Sequence, residues 1–224
     1  ATVSNGVPVG VIGPFATTLP SPYLERGAFV IQGEPEMFFQ GNPINTDTLG
    51  ALEGTVPGAT AVSLDDLPLP AWDLVFPVAP PRFGLFGRKE TVLPIIASRG
   101  CPYSCMNYCT YPLQQGREVR TRAPEKIVAE MAHWQDTLGV SYFIFRDPVF
   151  AINLKHAHAL CDAIEASGRA FRFTIETHLR NMAPDLAKRL RHAGMDMVKV
   201  GIETVDQDVL DSAKRFSMDG DEQR

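Results

Sequence analysis

The stretch Arg99-Gly100-Cys101-Pro102-Tyr103-Ser104-Cys105-Met106-Asn107-Tyr108-Cys109 decides how this chain is read. Three of its four cysteines fall there, directly after the apolar run Val92-Leu93-Pro94-Ile95-Ile96-Ala97. Thiolates are soft ligands that suit iron–sulfur clusters, zinc or Cu(I), and three on one loop can hold three corners of a four-iron cluster and leave one iron open. Structural zinc wants a fourth ligand, and the nearest histidine, His133, lies well away in the sequence. The remaining cysteine, Cys161, falls on the apolar face of a helical pattern and reads as a small core residue.

Outward from the loop toward the C-terminus, strands alternate with helices, the signature of a parallel sheet or barrel. Residues 91–97 form the first strand. Pro124 and Glu125 open a helix with Ile127, Val128, Met131, Trp134 and Leu138 at helical spacing, closed by Gly139. Tyr142-Phe143-Ile144-Phe145 is a buried strand, and Asn153 caps a helix that Gly168 stops. A third strand spans 171–176, a third helix begins near Pro184, a fourth strand spans 197–202, and Asp206 caps a fourth helix. Four βα repeats place the strand C-terminal ends on one rim. That rim carries Cys101, Cys105 and Cys109, then Arg146 and Asp147, then Glu176, His178 and Arg180, then Glu203. Charged groups and thiols thus converge where active sites of such folds sit.

Toward the N-terminus the pattern thins. Val7 to Ile12 and Ala28 to Ile31 read as two short strands leading into the turns Gly13-Pro14 and Gly33-Glu34-Pro35-Glu36. Residues 41–87 are rich in Gly, Pro, Asn, Thr and Asp and read as a connector, with Leu67, Leu69 and Trp72 pinning it down.

The formal net charge is −5 with Lys and Arg scattered, so the sequence predicts neither a nucleic-acid nor an anionic-membrane partner. No apolar run approaches the roughly 20 residues needed to span a bilayer, and the N-terminus lacks the pattern of a signal peptide. The expected location is the cytoplasm, where a reducing environment keeps thiols free for metal.

The loop Ser98 to Cys109, with Arg122-Ala123-Pro124-Glu125, Phe145-Arg146-Asp147-Pro148-Val149-Phe150 and Gly201-Ile202-Glu203-Thr204 following in order, resembles the radical SAM superfamily. Gly13-Pro14-Phe15-Ala16-Thr17, Gly33 to Glu36 and Leu67 to Trp72 resemble the end of a cobalamin-binding domain and its linker, which points to the cobalamin-binding subgroup. The spacing here is C-x3-C-x3-C, one residue longer than the usual C-x3-C-x2-C. The resemblance implies an α/β fold: part of a (β/α)6 barrel over residues 88–224, a linker over 42–87, and the C-terminal remnant of a Rossmann-like cobalamin-binding domain over 1–41.

The same resemblance implies that Cys101, Cys105 and Cys109 ligate a [4Fe-4S] cluster whose open iron binds S-adenosylmethionine (SAM). Tyr108 is then placed near the adenine, Asp147 near the SAM amino group, Arg180 near its carboxylate and Glu203 near the ribose. It implies reductive cleavage of SAM, with methyl transfer through cobalamin to a small metabolite or natural product as the leading reaction. Cyclisation or rearrangement, and a degenerate metal-binding protein without turnover, are the alternatives. The implied partners are a small-molecule substrate and an external one-electron donor such as flavodoxin or ferredoxin.

Overall fold

Apolar runs bounded by Gly and Pro become strands here, and the segments with helical spacing become the helices between them. The structure, a computed structural model, describes residues 7–41, 45–58, 60, 63–80, 82–85, 88–103, 105 and 109–213. In chain order the elements are β1 (Gly10–Val11), α1 (Pro14–Thr18), α2 (Ser21–Leu24), β2 (Phe29–Gln32), α3 (Glu36–Gly41), α4 (Thr46–Gly50), β3 (Thr55–Pro57), α5 (Trp72–Val75), β4 (Arg82–Leu85) and β5 (Arg88–Thr91). There follow β6 (Leu93–Ile95), β7 (Ser98–Arg99), α6 (Tyr111–Gln115), β8 (Arg120–Thr121), α7 (Pro124–Leu138), β9 (Tyr142–Phe145), α8 (Leu154–Ala166), β10 (Arg172–Thr177), α9 (Pro184–His192), β11 (Met195–Val200) and α10 (Gln207–Ser212).

Contacts divide the chain into two units, Ala1–Ser63 with Gly100–Val119, and Leu64–Arg99 with Arg120–Arg224. In the first, β1, β2 and β3 form a parallel sheet with β2 in the middle. Its central strand is the apolar run Phe29-Val30-Ile31, all buried, as expected of a strand covered on both faces. The cysteine segment belongs to this unit because α6 packs on α1. β3 lies inside the stretch read from the sequence as a connector; Thr55-Val56-Pro57 is too short and too mixed to signal a strand until β2 is beside it to pair.

The second unit is built on a four-stranded parallel sheet in the order β11-β10-β9-β6. Register sets Leu93 beside Phe143, Phe143 beside Phe173 and Phe173 beside Met195. These residues and Ile95, Phe145 and Ile175 share a core with Ile127, Met131 and Trp134 of α7, Leu160 and Ile164 of α8, and Leu186 and Leu190 of α9. Phe145 meets Phe150 and Phe173 edge to face, with centroids 5.1 and 5.5 Å apart. Burial of each such side chain stabilises the fold by about 1.5–3 kcal/mol. Cys161 is buried in this core, as its helical position predicted.

Helix ends follow the sequence where a cap is local. Asn153 Oδ1 accepts from His156 N–H at 3.1 Å, Asp206 Oδ1 from Val209 N–H at 3.2 Å, and Gly139 closes α7 in the left-handed region at φ 67°. α7 has Ala123 at its N-cap position and takes its cap from a distance instead: both carboxylate oxygens of Asp65 lie 3.0 Å from Ala123 N–H. This anchors the 64–66 turn, with Leu64 buried beneath it. Trp72 packs on the core as expected, whereas Leu69 is exposed. No helix among the described residues is long and apolar enough to cross a membrane.

Candidate functional site

The cysteine loop leaves β7 and returns at β8, and these two strands pair antiparallel, Ser98 with Thr121 and Arg99 with Arg120. At its base Gly100 N–H donates to Gln115 Oε1 at 3.2 Å and Cys101 N–H to Gly116 O at 3.1 Å. Gly100 sits at φ 89°, where an added Cβ would lie 1.8 Å from Glu118 O, so only glycine fits. Inside this neck Cys101 is buried, while Cys105 and Cys109 are half-buried, and all three are free thiols. Burial pushes the Cys101 thiol up; charge on Cys109 and Cys105 adds to this, against a backbone hydrogen bond at Tyr103 and the Arg117 guanidinium. Tyr108 lies outside the described residues.

In kind, this donor set fits a four-iron cluster: three thiols on one loop, close enough for their charges to be felt at Cys101, each able to serve a separate iron. Among the described residues no three His, Cys, Asp or Glu side chains gather tightly enough to hold a single metal ion.

In the second unit the strand C-terminal ends align through the register Glu176–Lys199 and Thr177–Val200. Arg146 faces Glu176 at 4.0 Å, both half-exposed. His178 is buried and caps the turn Leu179–Asn181, its Nδ1 accepting from Arg180 N–H at 3.2 Å. That bond takes one of the two ring nitrogens for structure. Arg180 is exposed in this turn, and Glu203 is exposed in the left-handed region at φ 64°. A non-glycine residue held there is unusual and tends to mark functional loops.

Asp147 is placed differently from the other rim residues. Only 3 % exposed, it accepts from Ala97 N–H at 2.8 Å through Oδ1 and from Ser98 Oγ at 2.6 Å through Oδ2. Burial raises its carboxyl to about 6, against the pull of Ser98, Ala97 and Arg122. Beside it Arg122 pairs with Glu130 at 2.6 Å, donates to Ile96 O at 3.1 Å, and its own carbonyl lies 2.6 Å from His156 Nε2. Sequence reasoning quoted Ser98 and Arg122 only as parts of motifs, and it gave no site role to these two, to Glu130 or to His156. The available signal was Glu130, a charged residue on the apolar face of α7 between Ile127 and Trp134.

Parallel strands alternating with helices, and a segment carrying three free cysteines, define an α/β protein with thiols of the kind that hold metal clusters. Residues 95–219 match the Radical SAM superfamily, and the chain belongs to that superfamily. Among curated relatives it is 25% identical over 162 residues to "Uncharacterized methyltransferase PH0819" of Pyrococcus horikoshii, covering 72% of this chain and 34% of the relative. It is 28% identical over 223 residues to "Uncharacterized methyltransferase sll1242" of Synechocystis, covering 95% and 39%. Among solved structures it resembles the apo form of the cobalamin-dependent SAM radical enzyme OxsB, at TM-score 0.56 and 15% identity, over 95% of this chain and 37% of that one. This last likeness is one of fold. The chain spans between a third and two-fifths of the length of these proteins.

Proposed function

We propose that this chain is the cluster-bearing part of a radical SAM methyltransferase in which Cys101, Cys105 and Cys109 ligate a [4Fe-4S] cluster. The observation that carries the reading is the family match, whose span contains all three cysteines, Arg180 and Glu203. The names of the two curated relatives favour methyl transfer. A bound cluster of this kind supplies the electron that cleaves SAM reductively. The chain's own residues bind and orient. The Cys101 backbone N–H is held by Gly116 O at the base of the loop. Arg180 offers a guanidinium fork for the SAM carboxylate and Glu203 a carboxylate for the ribose hydroxyls, with Tyr108 beside the adenine.

Cobalamin enters the reading as the methyl carrier. Support comes from the parallel β1-β2-β3 sheet, whose adjacent strands β1 and β2 end in the glycine turns at Gly13 and Gly33, both in the left-handed region. Gly33 N–H donates to Thr17 Oγ1 at 3.1 Å, which ties the second turn to α1. The reading takes a small molecule as substrate and a flavodoxin or ferredoxin as electron donor. It places the protein in the cytoplasm, where four free cysteines stay reduced.

The test is anaerobic reconstitution with iron and sulfide, reduction, and measurement of 5'-deoxyadenosine and S-adenosylhomocysteine formed from SAM with and without cobalamin. S-adenosylhomocysteine that appears only with cobalamin is the expected result. A reconstituted chain with no SAM-perturbed cluster EPR signal and no SAM-derived product would sink the proposal.

A further inference from the structure

We infer that Asp147 is a positioning residue for the cysteine loop, clamping the strand from which the loop departs. The inference rests on the reading that Cys101, Cys105 and Cys109 hold the cluster. Both carboxylate oxygens of Asp147 are engaged, by Ala97 just before β7 and by Ser98, which opens it. Only Arg99 and Gly100 separate Ser98 from Cys101 in the chain, so the clamp lies immediately upstream of the first ligand. The returning strand is secured in the same place: Arg122 N–H donates to Ala97 O at 2.9 Å, and the Arg122 guanidinium donates to Ile96 O at 3.1 Å. Residues 96–98 are thus gripped by Asp147 on one side and Arg122 on the other.

The space beside Asp147 argues for clamping over ligand contact. The cavity that Asp147 lines with Ser98, Thr121, Asn153 and His156 is about 10 Å³, room for one water and no more. A carboxylate this deeply buried, facing a water-sized cavity, lacks the access to meet an ammonium group from SAM. The loop that carries Asp147 is itself fixed: Phe150 N–H donates to Glu176 O at 2.8 Å, Thr177 Oγ1 donates to Phe150 O, and buried Ala151 is held at φ 59°. Such groups behind metal ligands set ligand geometry without touching the metal.

The experiment compares the wild-type chain with Asp147→Asn, Ser98→Ala, their double variant and Cys105→Ala, all reconstituted anaerobically. Iron and sulfide content, the rate of cluster loss to a chelator, the SAM-induced change in cluster EPR and amide exchange at Ala97 are measured. Asp147→Asn is expected to speed cluster loss roughly tenfold, the scale of outer partners of metal ligands. It should quicken exchange at Ala97 and leave the SAM affinity of the loaded fraction unchanged. Ser98→Ala should move the same readouts in the same direction, and the double variant should be little worse than Asp147→Asn, since the two side chains act as one clamp. Should Asp147→Asn fail to fold, Ser98→Ala carries the same readouts. Wild-type cluster retention with lost SAM response in Asp147→Asn would overturn the inference in favour of direct SAM contact, and unchanged retention with unchanged response would overturn it outright. A wild-type chain that takes up no cluster, or a Cys105→Ala variant that keeps one, instead overturns the ligand reading on which the inference stands.

Discussion

Arg122 and Glu130 form an ion pair 2.6 Å long with side chains only 11 % and 3 % exposed. Glu130 projects from α7 among Ile127, Met131 and Trp134, so its charge has left water and depends on the guanidinium for compensation. Removing one partner of such a pair leaves the other buried and uncompensated, which costs about 3–5 kcal/mol. Glu130→Gln is therefore expected to lower the urea midpoint strongly with little change in slope. Pairing it with Arg122→Met should recover much of the loss. A loss below about 1 kcal/mol, the scale of an exposed pair, would show that solvent reaches Glu130.

Asp147 gives stability an unusual dependence on acid. Its carboxyl is raised from 3.8 to about 6 because burial disfavours the charged form more than Ser98 and Ala97 favour it. The folded chain therefore keeps a proton at Asp147 that the unfolded chain releases between about pH 4 and pH 6. The favourable contribution is complete below the unfolded value and is lost as pH rises through the folded one, about 3 kcal/mol across the window. Urea midpoints of wild type and Asp147→Asn measured from pH 4 to pH 7 test this, since the variant cannot titrate there. The difference between the two curves should rise in favour of the variant toward pH 6; a constant difference would place the carboxyl at its ordinary value.

Much of the second unit was legible from local chemistry. Pro124, Gly139, Asn153 and Asp206 mark helix ends because each acts through its own backbone or a neighbour's, and all four do so here. The buried strands announced themselves as apolar runs because helices cover the sheet on that side. What could not be read was long-range. Asp65 caps a helix through Ala123, 58 residues later, β3 exists by pairing with β2, and Asp147 turns inward to Ala97 and Ser98 across 50 and 49 residues. Chain order put Asp147 on the rim beside Arg146; only the fold shows that Arg146 faces Glu176 while Asp147 is buried. The grouping of residues 100–119 with the N-terminal unit was hidden for the same reason, because α6 is drawn to α1 by packing and not by sequence proximity.

The neck of the cysteine loop provides the sharpest test, because two glycines there have the same kind of backbone and different surroundings. Gly100 stands at φ 89° and Gly116 at φ 79°, both in the region that side chains rarely adopt. At Gly116 an added Cβ meets nothing within 4 Å, so Gly116→Ala imposes conformational strain alone, about 1–3 kcal/mol. At Gly100 the Cβ would sit 1.8 Å from Glu118 O and 2.7 Å from its carbonyl carbon, so the return strand must move as well as the turn. Backbone cannot yield as a side-chain tip can, and the hydrogen bonds from Gly100 to Gln115 and from Cys101 to Gly116 close the same neck. Gly100→Ala is therefore expected to cost more than Gly116→Ala, to quicken amide exchange at Cys101, and to reduce reconstituted iron and sulfide well below the Gly116→Ala value. Equal loss in the two variants would mean that strain, and not the close approach of residues 100 and 118, is what the glycine at the neck relieves.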